Sequence, residues 1–272
     1  MHILILGSAG AVPFLKRDTT MLALTIQQDY MLIDCGGSLV HRMNWCQFPW
    51  QKISSLFITH RHIDHIYGFP HLIQAFYLIG RRKPFTIYGP EDVITILPEV
   101  MRAFLLKESK LKFPLIFQSV AVTGKRSILE TEHVKVSACP VVHGVPALAY
   151  RFKDKKTGVN FVYSGDTGPC TELINFANQT DLLIHETSFL VESRASDCGI
   201  HSTVADAAKI ATLAKTSHLC LIHFNSEPQT KEAAVLKEAM QYFSGRVIIS
   251  HDLMRIDLDQ SEVTLRASRF QI

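Results

Sequence analysis

The sequence lacks the features that mark membrane, fibrous and disordered proteins. Charged residues make up 19% and hydrophobic residues 47% of the 272 residues, a balance that excludes a disordered chain, a collagen and a long coiled coil. The longest nearly uncharged apolar run, Phe69–Gly80, is too short for a bilayer and contains His71 and Gln74. No basic leader precedes the short apolar start HILILG. We therefore expect a cytoplasmic protein with no membrane partner.

Cysteine motifs and a strong net charge are also missing. The six cysteines form no C-x-x-C pair, and a chain of this length needs no disulfide staples, so we expect reduced thiols. The formal net charge of +3 permits a polyanionic partner without requiring one. The unusual feature of the composition is its 13 histidines.

Hydrophobic periodicity predicts an α/β fold. Short β-type runs dominate the start of the chain, and helical periodicity follows over Ile66–Ile79 and Glu91–Leu106. A second β-rich stretch begins at Leu115–Val120, after which strand and helix signals alternate to Ser250. Two successive β-then-α halves predict a four-layer αβ/βα sandwich of two mixed β-sheets flanked by helices. Without a linker or a repeat, we expect residues 1–272 to form a single domain.

The most specific motif is T-H-R-H-I-D-H, which follows the apolar strand signal Ser55–Thr59. In an extended loop, side chains two residues apart point the same way, so His60 and His62 can hold one metal ion. Asp64 and His65, at the turn into a helix, face a different direction and can hold a second ion. A solvated histidine-rich loop is the alternative interpretation.

Three further candidate ligands lie at the ends of predicted strands: His143 in PVVHGVPA, Asp166 in YSGDTG and His223 in LCLIHF. A single strand-end histidine is more often a hydrogen-bonded core residue, but the shared placement of these three favours metal ligation. One site would consist of His60, His62, His143 and Asp166. The other would consist of Asp64, His65, His223 and Asp166, whose carboxylate can bridge two cations. Imidazole and carboxylate ligands without a thiolate suit two zinc ions, with manganese as the alternative.

These motifs, in this order, resemble the metallo-β-lactamase fold family of zinc hydrolases. HETSF at residues 185–189 and HST at residues 201–203 resemble the H-E-A-T and H-S-T elements of the ribonuclease Z family, which trims the 3′ trailer from precursor tRNA. The opening GSAGAVPFLKRDTTM and the LIDCGG element resemble the start of that family as well. The resemblance covers nearly the whole chain.

Three departures separate this chain from the family pattern. Leu253 replaces a glycine of the family's Asp-Gly-Met element, and Gly37 stands where the family has an acidic residue. Only residues 144–165 separate His143 from Asp166, and two strand signals fill them. The basic, glycine-rich exosite arm that ribonuclease Z enzymes usually insert there has no room in this chain.

The expected chemistry is phosphodiester hydrolysis, because two zinc ions lower the pKa of a shared water and offset charge on a phosphate. Asp64 is the candidate to orient the attacking water or to accept its proton. The resemblance implies that His201 stabilises or protonates the departing oxygen and that Glu186 orients His201. The alternative for His201 is a polar residue at a helix start, since Ser202 and Thr203 precede a helical pattern.

We predict a zinc-dependent phosphodiesterase or endoribonuclease of the ribonuclease Z type, with precursor tRNA as partner and, by resemblance, a homodimer. A small-substrate hydrolase of the same fold, acting on a cyclic nucleotide, an aryl sulfate or a lactone, is one alternative, favoured by the missing arm. A non-catalytic metal-binding protein is the other. Four basic clusters could bind RNA phosphates or be solvated surface: Lys16-Arg17, Arg81–Lys83, Lys107–Lys112 and Lys153–Lys156. The first lies in a loop that resembles one bordering the family's active site.

Overall fold

The computed structural model describes residues 1–188, 199–225, 232–259 and 263–266. Within these residues the strands are β1 (His2–Gly7), β2 (Met21–Ile26), β3 (Asp29–Ile33), β4 (Ser55–Phe57), β5 (Phe85–Gly89), β6 (Leu115–Ser119), β7 (Arg126–Glu130), β8 (Val134–Pro140), β9 (Leu148–Asp154), β10 (Asn160–Tyr163), β11 (Leu182–Glu186), β12 (His218–Ile222), β13 (Arg246–Ile249), β14 (Arg255–Leu258) and β15 (Val263–Arg266). The α-helices are α1 (Leu39–Trp45), α2 (Ile63–Ile66), α3 (Phe69–Leu78), α4 (Glu91–Ala103), α5 (Thr171–Phe176), α6 (Val204–Leu213) and α7 (Glu232–Tyr242).

The strands form two mixed sheets, one of eight strands in the order β15-β14-β1-β2-β3-β4-β5-β6 and one of seven in the order β13-β12-β11-β10-β9-β8-β7. In the first sheet, pairing is antiparallel from β15 to β3 and parallel from β3 to β6. In the second, pairing is antiparallel from β7 to β10 and parallel from β10 to β13. The prediction of two mixed sheets in an α/β fold is confirmed.

Three apolar clusters separate the four layers. Strand β1 shows why, because Ile3 and Ile5 pack in the cluster between the sheets, while Leu4 and Leu6 pack in the cluster under helices α1, α3 and α4. This alternation is the period of two that places successive side chains on opposite faces of a strand. The third cluster lies between the second sheet and helices α5, α6 and α7. Each sheet is thus buried on both faces.

The helical signal over Ile66–Ile79 is interrupted in the structure. Helix α2 ends at Ile66, helix α3 begins at Phe69, and the Gly68 amide donates to the Cys35 carbonyl at 2.7 Å. A Cβ on Gly68 would lie 2.6 Å from that carbonyl oxygen, so only glycine allows the two chain segments to approach this closely. Because of this break, Asp64 and His65 lie on the short helix α2, which is separate from α3.

Parallel strands end at a common edge of each sheet, and the predicted site residues follow those ends. The T-H-R-H-I-D-H motif follows β4, Asp166 follows β10, His223 follows β12, and Glu186 is the last residue of β11. Side chains at the carboxyl ends of neighbouring parallel strands meet in one crevice. Among the helices of the described part of the chain, none combines the length and the apolar character that crossing a bilayer requires. The assignment of residues 1–272 to one domain stays a prediction.

Candidate metal centre

The seven side chains predicted as metal ligands lie together at this edge, in two groups. The groups are His60, His62, His143 and Asp166, and Asp64, His65 and His223. Within each group the candidate ligand atoms lie within 4.8 Å of one another. Asp166 lies between the groups: its Oδ2 is 3.7 Å from Nε2 of His60, and its Oδ1 is 3.3 Å from Nε2 of His223. Each oxygen of this carboxylate therefore faces one group.

In the first group, three imidazole nitrogens converge on one point. Nδ1 of His62 lies 3.0 Å from Nε2 of His60 and 3.1 Å from Nε2 of His143. The far nitrogen of His143 donates to the Ile200 carbonyl at 3.0 Å, which leaves a lone pair on its Nε2. Lone pairs that face one another at this distance repel unless a proton or a cation lies between them, so this group fits a cation.

The far nitrogen of His60 is held in the same way. Its Nδ1 lies 3.0 Å from the Thr59 hydroxyl, and that hydroxyl donates to Asp34 at 3.0 Å. Since the single hydroxyl proton of Thr59 is used on Asp34, the hydroxyl accepts from Nδ1 of His60. The Nε2 lone pair of His60 consequently faces the other two imidazoles.

Three buried polar atoms at the second group have no hydrogen-bond partner among the described residues: Nε2 of its His65 and His223, and Oδ1 of the adjacent Asp166. Nε2 of His65 lies 3.3 Å from Oδ2 of Asp64, and its Nδ1 is held by Asp34 at 2.8 Å. Buried polar atoms are rarely left unpaired, and three of them facing one another fit a cation bound among them. The residues of both groups thus fit divalent cations.

Electrostatics keep the carboxylates of the centre ionised. Burial alone would raise the pKa of Asp166, but His223 and His65 outweigh burial and hold that pKa well below its usual range. Asp64 is shifted in the same direction for the same reason, with His65 as its main charge partner. Burial lowers the pKa of His60 well below its usual value, and His65 adds to that shift. Anionic carboxylates and a neutral imidazole are the forms that bind metal ions.

His201 and Glu186 form a pair beside both groups. Nδ1 of His201 donates to Oε1 of Glu186 at 2.8 Å, and the His201 ring lies 4.9 Å from the His143 ring and 6.1 Å from the His223 ring. Helix α6 is capped by Thr203, whose hydroxyl accepts from the Asp206 amide. Thr203 supplies the cap, so His201 is not needed to cap the helix, and its role stays a prediction.

The sequence did not predict two residues that form hydrogen bonds with the outer ring nitrogens of histidines at the metal centre. Asp34 is fully buried and accepts from both Thr59 and His65, and Ser188 lies beside His201 and His223. A carboxylate directly after a buried strand, in the LIDCGG element, was the available signal for Asp34. Ser188 lies in the HETSF element, but that resemblance gave no role to its hydroxyl group; Phe189 of HETSF lies outside the described residues.

Two arginines of the basic clusters are structural. Arg17 is 1% exposed, donates to the Ser8 hydroxyl and the Ser250 carbonyl, and lies over the Phe224 ring. Arg81 is 6% exposed and donates to four backbone carbonyls. These two guanidinium groups are buried in the protein, so neither interpretation of their clusters, contact with RNA phosphates or solvated surface, holds for them.

Other residues of the basic clusters lie far from the metal centre. Arg82 and Lys83 precede β5, and Lys110 and Lys112 precede β6. Since β4, β5 and β6 are parallel and the candidate ligands follow the end of β4, these cations lie at the opposite end of the sheet. They cannot contact the group that reacts.

Comparisons with known proteins agree with this geometry. Residues 30–224 match the family described as the beta-lactamase superfamily domain. The chain is 30% identical to ribonuclease Z of Pyrococcus horikoshii over 95% of this chain and 96% of that protein, and 29% identical to ribonuclease Z of Methanothermobacter thermautotrophicus over 95% and 97%. Human tRNase Z, short form, has a similar structure, with a TM-score of 0.79, 23% identity and coverage of 95% and 99%. The metallo-beta-lactamase fold protein YhfI from Bacillus subtilis gives 0.77, 22%, 93% and 97%.

The alignment with the Pyrococcus protein also contains gaps in the sequence of this chain. It extends over 306 positions, although 95% of the 272 residues of this chain take part in it. The relative therefore has segments that this chain lacks. Gaps of this kind arise when one chain lacks an insertion that its relative contains.

Proposed function

The chain belongs to the ribonuclease Z family of the β-lactamase superfamily of metal-dependent hydrolases, and from that membership we propose that it cleaves phosphodiester bonds at the 3′ side of precursor tRNA with two zinc ions. The observation that carries this proposal is the position of Asp166 between two ligand groups, with one oxygen toward each. A carboxylate shared in this way is typical of two-metal hydrolases. Manganese is the alternative metal.

The residues around the centre divide the work of hydrolysis. Cations bound by the two groups would acidify a water molecule and polarise a phosphate oxygen. The ionised Asp64 carboxylate, 3.3 Å from Nε2 of His65, is placed to orient the attacking water and to accept its proton. These roles are proposals for this chain.

His201 is placed to protonate the departing oxygen. Glu186 accepts from Nδ1 of His201, so this carboxylate fixes the ring orientation and stabilises the ring in its protonated form. The remaining nitrogen, Nε2, is then the one that can give a proton to a leaving alkoxide. Glu186 is fully buried, which strengthens its interaction with the ring.

A second candidate function is hydrolysis of a small diester on the same fold. One observation favours it: residues 148–154 and 160–163 form β9 and β10, so the segment between His143 and Asp166 builds the sheet and carries no arm to grip tRNA. A non-catalytic metal-binding protein is the remaining alternative.

Cleavage mapping on a defined precursor tRNA, combined with metal analysis and turnover of bis-p-nitrophenyl phosphate, tests the proposal. We expect two zinc ions per chain and a cut at the 3′ trailer, both assayed beside the Asp64→Ala variant. Turnover of the small diester with intact precursor tRNA would favour the second candidate. Zinc-loaded protein that hydrolyses neither substrate would favour the non-catalytic alternative.

We also propose, from the family resemblance, that the protein is a homodimer in the cytoplasm. Size-exclusion chromatography with light scattering measures the mass in solution, and a mass of one chain of 30.6 kDa at micromolar concentration would contradict the dimer.

A further inference from the structure

Ser188 is a buried serine that touches both the His201–Glu186 pair and a candidate metal ligand. It follows strand β11 and is 2% exposed. Its hydroxyl oxygen lies 2.8 Å from Oε2 of Glu186, 3.2 Å from Nδ1 of His201 and 3.1 Å from Nδ1 of His223. Three polar atoms therefore surround a hydroxyl that has one proton.

The position of that proton follows from the partners of Glu186. Its carboxylate accepts from the Thr167 amide, the Ser188 amide and Nδ1 of His201 at 2.8–3.0 Å. An ionised carboxylate is an acceptor only, so an oxygen at 2.8 Å from Oε2 must bring a proton of its own. The Ser188 hydroxyl accordingly donates to Glu186.

The hydroxyl oxygen is then left with lone pairs alone toward the two histidines. Nδ1 of His223, at 3.1 Å, can form a hydrogen bond with this oxygen only if it carries the ring proton. The neutral His223 ring therefore has a lone pair on Nε2, which lies 3.3 Å from Oδ1 of Asp166 and 3.5 Å from Oδ2 of Asp64. This is the tautomer that a metal ligand needs.

We propose that Ser188 is a positioning residue, whose hydroxyl fixes the Nδ1–H tautomer of His223 and directs the Nε2 lone pair at the point shared by Asp64 and Asp166. The tautomer follows from hydrogen bonds within the chain, while its consequence for metal binding rests on the proposed function. The other ligand histidines with a described outer contact do not depend on Glu186: His60 uses the Thr59 hydroxyl, His65 uses Asp34, and His143 uses the Ile200 carbonyl. The orientation of His223 is thus coupled to the pair proposed to protonate the leaving group.

The test compares wild type with Ser188→Ala and Ser188→Thr, and uses Ser202→Ala as the matched control. Ser202 is a fully buried serine of the same region whose hydroxyl donates to the Thr167 carbonyl and to no histidine. Long-range ¹⁵N–¹H correlations of histidine rings, recorded on metal-free protein at a pH where the rings are neutral, report the tautomer. A His223→Gln variant assigns the His223 signal.

We expect the Nδ1–H tautomer of His223 in wild type, Ser188→Thr and Ser202→Ala, and a mixture of tautomers in Ser188→Ala. A wild-type ring that carries its proton on Nε2 overturns the proposal without any variant. So does a folded Ser188→Ala protein with an unchanged tautomer. If Ser188→Ala does not fold, the spectra of wild type and Ser188→Thr still decide.

A second measurement follows metal affinity in competition with a chelator. Loss of an outer partner of a metal ligand typically costs about 10–100-fold in affinity. We expect Ser188→Ala to bind one of its two metal ions more weakly by about that factor. We expect Ser188→Thr to have the affinity of the wild type. Equal affinities in wild type and Ser188→Ala contradict the coupling. A chain with the predicted tautomer that cleaves no phosphodiester would refute the proposed function and leave the role of Ser188 intact.

Discussion

The roles of single residues at the metal centre depend on the hydrogen bonds and contacts that fix their positions. His201 has one ring nitrogen on Glu186, and the loop that carries it packs against Gly168, since a Cβ on Gly168 would lie 1.6 Å from the Gly199 carbonyl oxygen. Both features make the chemistry sensitive to small changes that leave the candidate ligands untouched.

Replacing His201 by alanine should separate two substrates by their leaving groups. General acid catalysis typically contributes about 10²–10⁴-fold, so cleavage of precursor tRNA should fall by that factor. Bis-p-nitrophenyl phosphate should lose much less, because p-nitrophenolate leaves without a proton. Metal content should not change, since His201 belongs to neither ligand group. His71→Ala, on the exposed side of α3, is the control, and equal losses on both substrates would reject the proton-donor role.

The Gly168→Ala substitution should lower activity through the Gly199–His201 loop. The added methyl group must displace the Gly199 carbonyl, and a misplacement of about 1 Å near a reacting group can cost about 10²-fold in rate. Gly144→Ala is the matched control, because its Cβ would meet only Ile200 Cδ1 at an ordinary 3.5 Å. Turnover of the small diester and thermal midpoints of both variants are to be measured. Similar activity in the two variants would contradict the prediction.

The types and positions of the candidate ligands could be predicted from the sequence, while their outer partners could not. His60 and His62 lie two residues apart, a spacing that carries geometry by itself. Asp34 is 31 residues from His65, and Ser188 is 35 residues from His223. The two residues of such a pair come into contact only when two different strands lie side by side. Local hydrophobic periodicity does not predict which strands are neighbours or how they are aligned.

At the level of elements, hydrophobic alternation predicted strand β8 and missed strand β7. Strand β8 has Val134, Val136 and Ala138 on the side that faces the other sheet, which is why its signal was clean. Strand β7, at the edge of the second sheet, consists of five exposed or partly exposed residues and gave no signal. A strand that buries little of its surface leaves little hydrophobic alternation in the sequence.

Contacts between elements of different sheets are testable through Asp154 in β9. Its fully buried carboxylate accepts from the Gln27 side chain, in the turn between β2 and β3, and from the Lys156 and Thr157 amides. We expect Asp154→Asn to lower the free energy of unfolding by about 1–3 kcal/mol at neutral pH, because charge-assisted hydrogen bonds are lost. Urea unfolding measures the difference.

This difference should depend on pH with a defined sign. Burial alone would raise the pKa of Asp154, but the hydrogen bonds from Gln27 and the amides outweigh it and lower the pKa. A lowered pKa in the folded state gives stability that is present above the unfolded value, about 3.9, and is lost as pH falls through the folded value. The advantage of wild type over Asp154→Asn should be constant above about pH 5 and shrink below about pH 4. An advantage that grows on acidification would contradict this assignment.

At the level of the whole molecule, the two sheets meet at the metal centre. His60, His62, Asp64 and His65 come from the first sheet's loop and helix, while Asp166 and His223 follow strands of the second. Nε2 of His65, Nε2 of His223 and Oδ1 of Asp166 have no hydrogen-bond partner in the part of the chain that the structure describes, which destabilises the metal-free fold. Bound cations should therefore stabilise the folded protein as well as support hydrolysis.

Removal of metal should lower the thermal midpoint. At a free zinc concentration about 100 times the Kd, binding to the folded state adds about 2.7 kcal/mol to the free energy of unfolding. Calorimetry of protein treated with a chelator, before and after zinc is returned, measures this difference. His223→Gln should respond less than wild type to the same treatment. An unchanged midpoint in wild type after chelation would show that the centre holds no cation in solution.

The positions of the candidate ligands along the chain also determine at what point during its synthesis the protein can bind metal and become active. The first of them is residue 60 and the last is residue 223, so a nascent polypeptide that has not yet emerged beyond β12 has an incomplete set. Cation uptake is then a late step in the maturation of each copy. A prematurely terminated product would be kept from cutting RNA by the same arrangement.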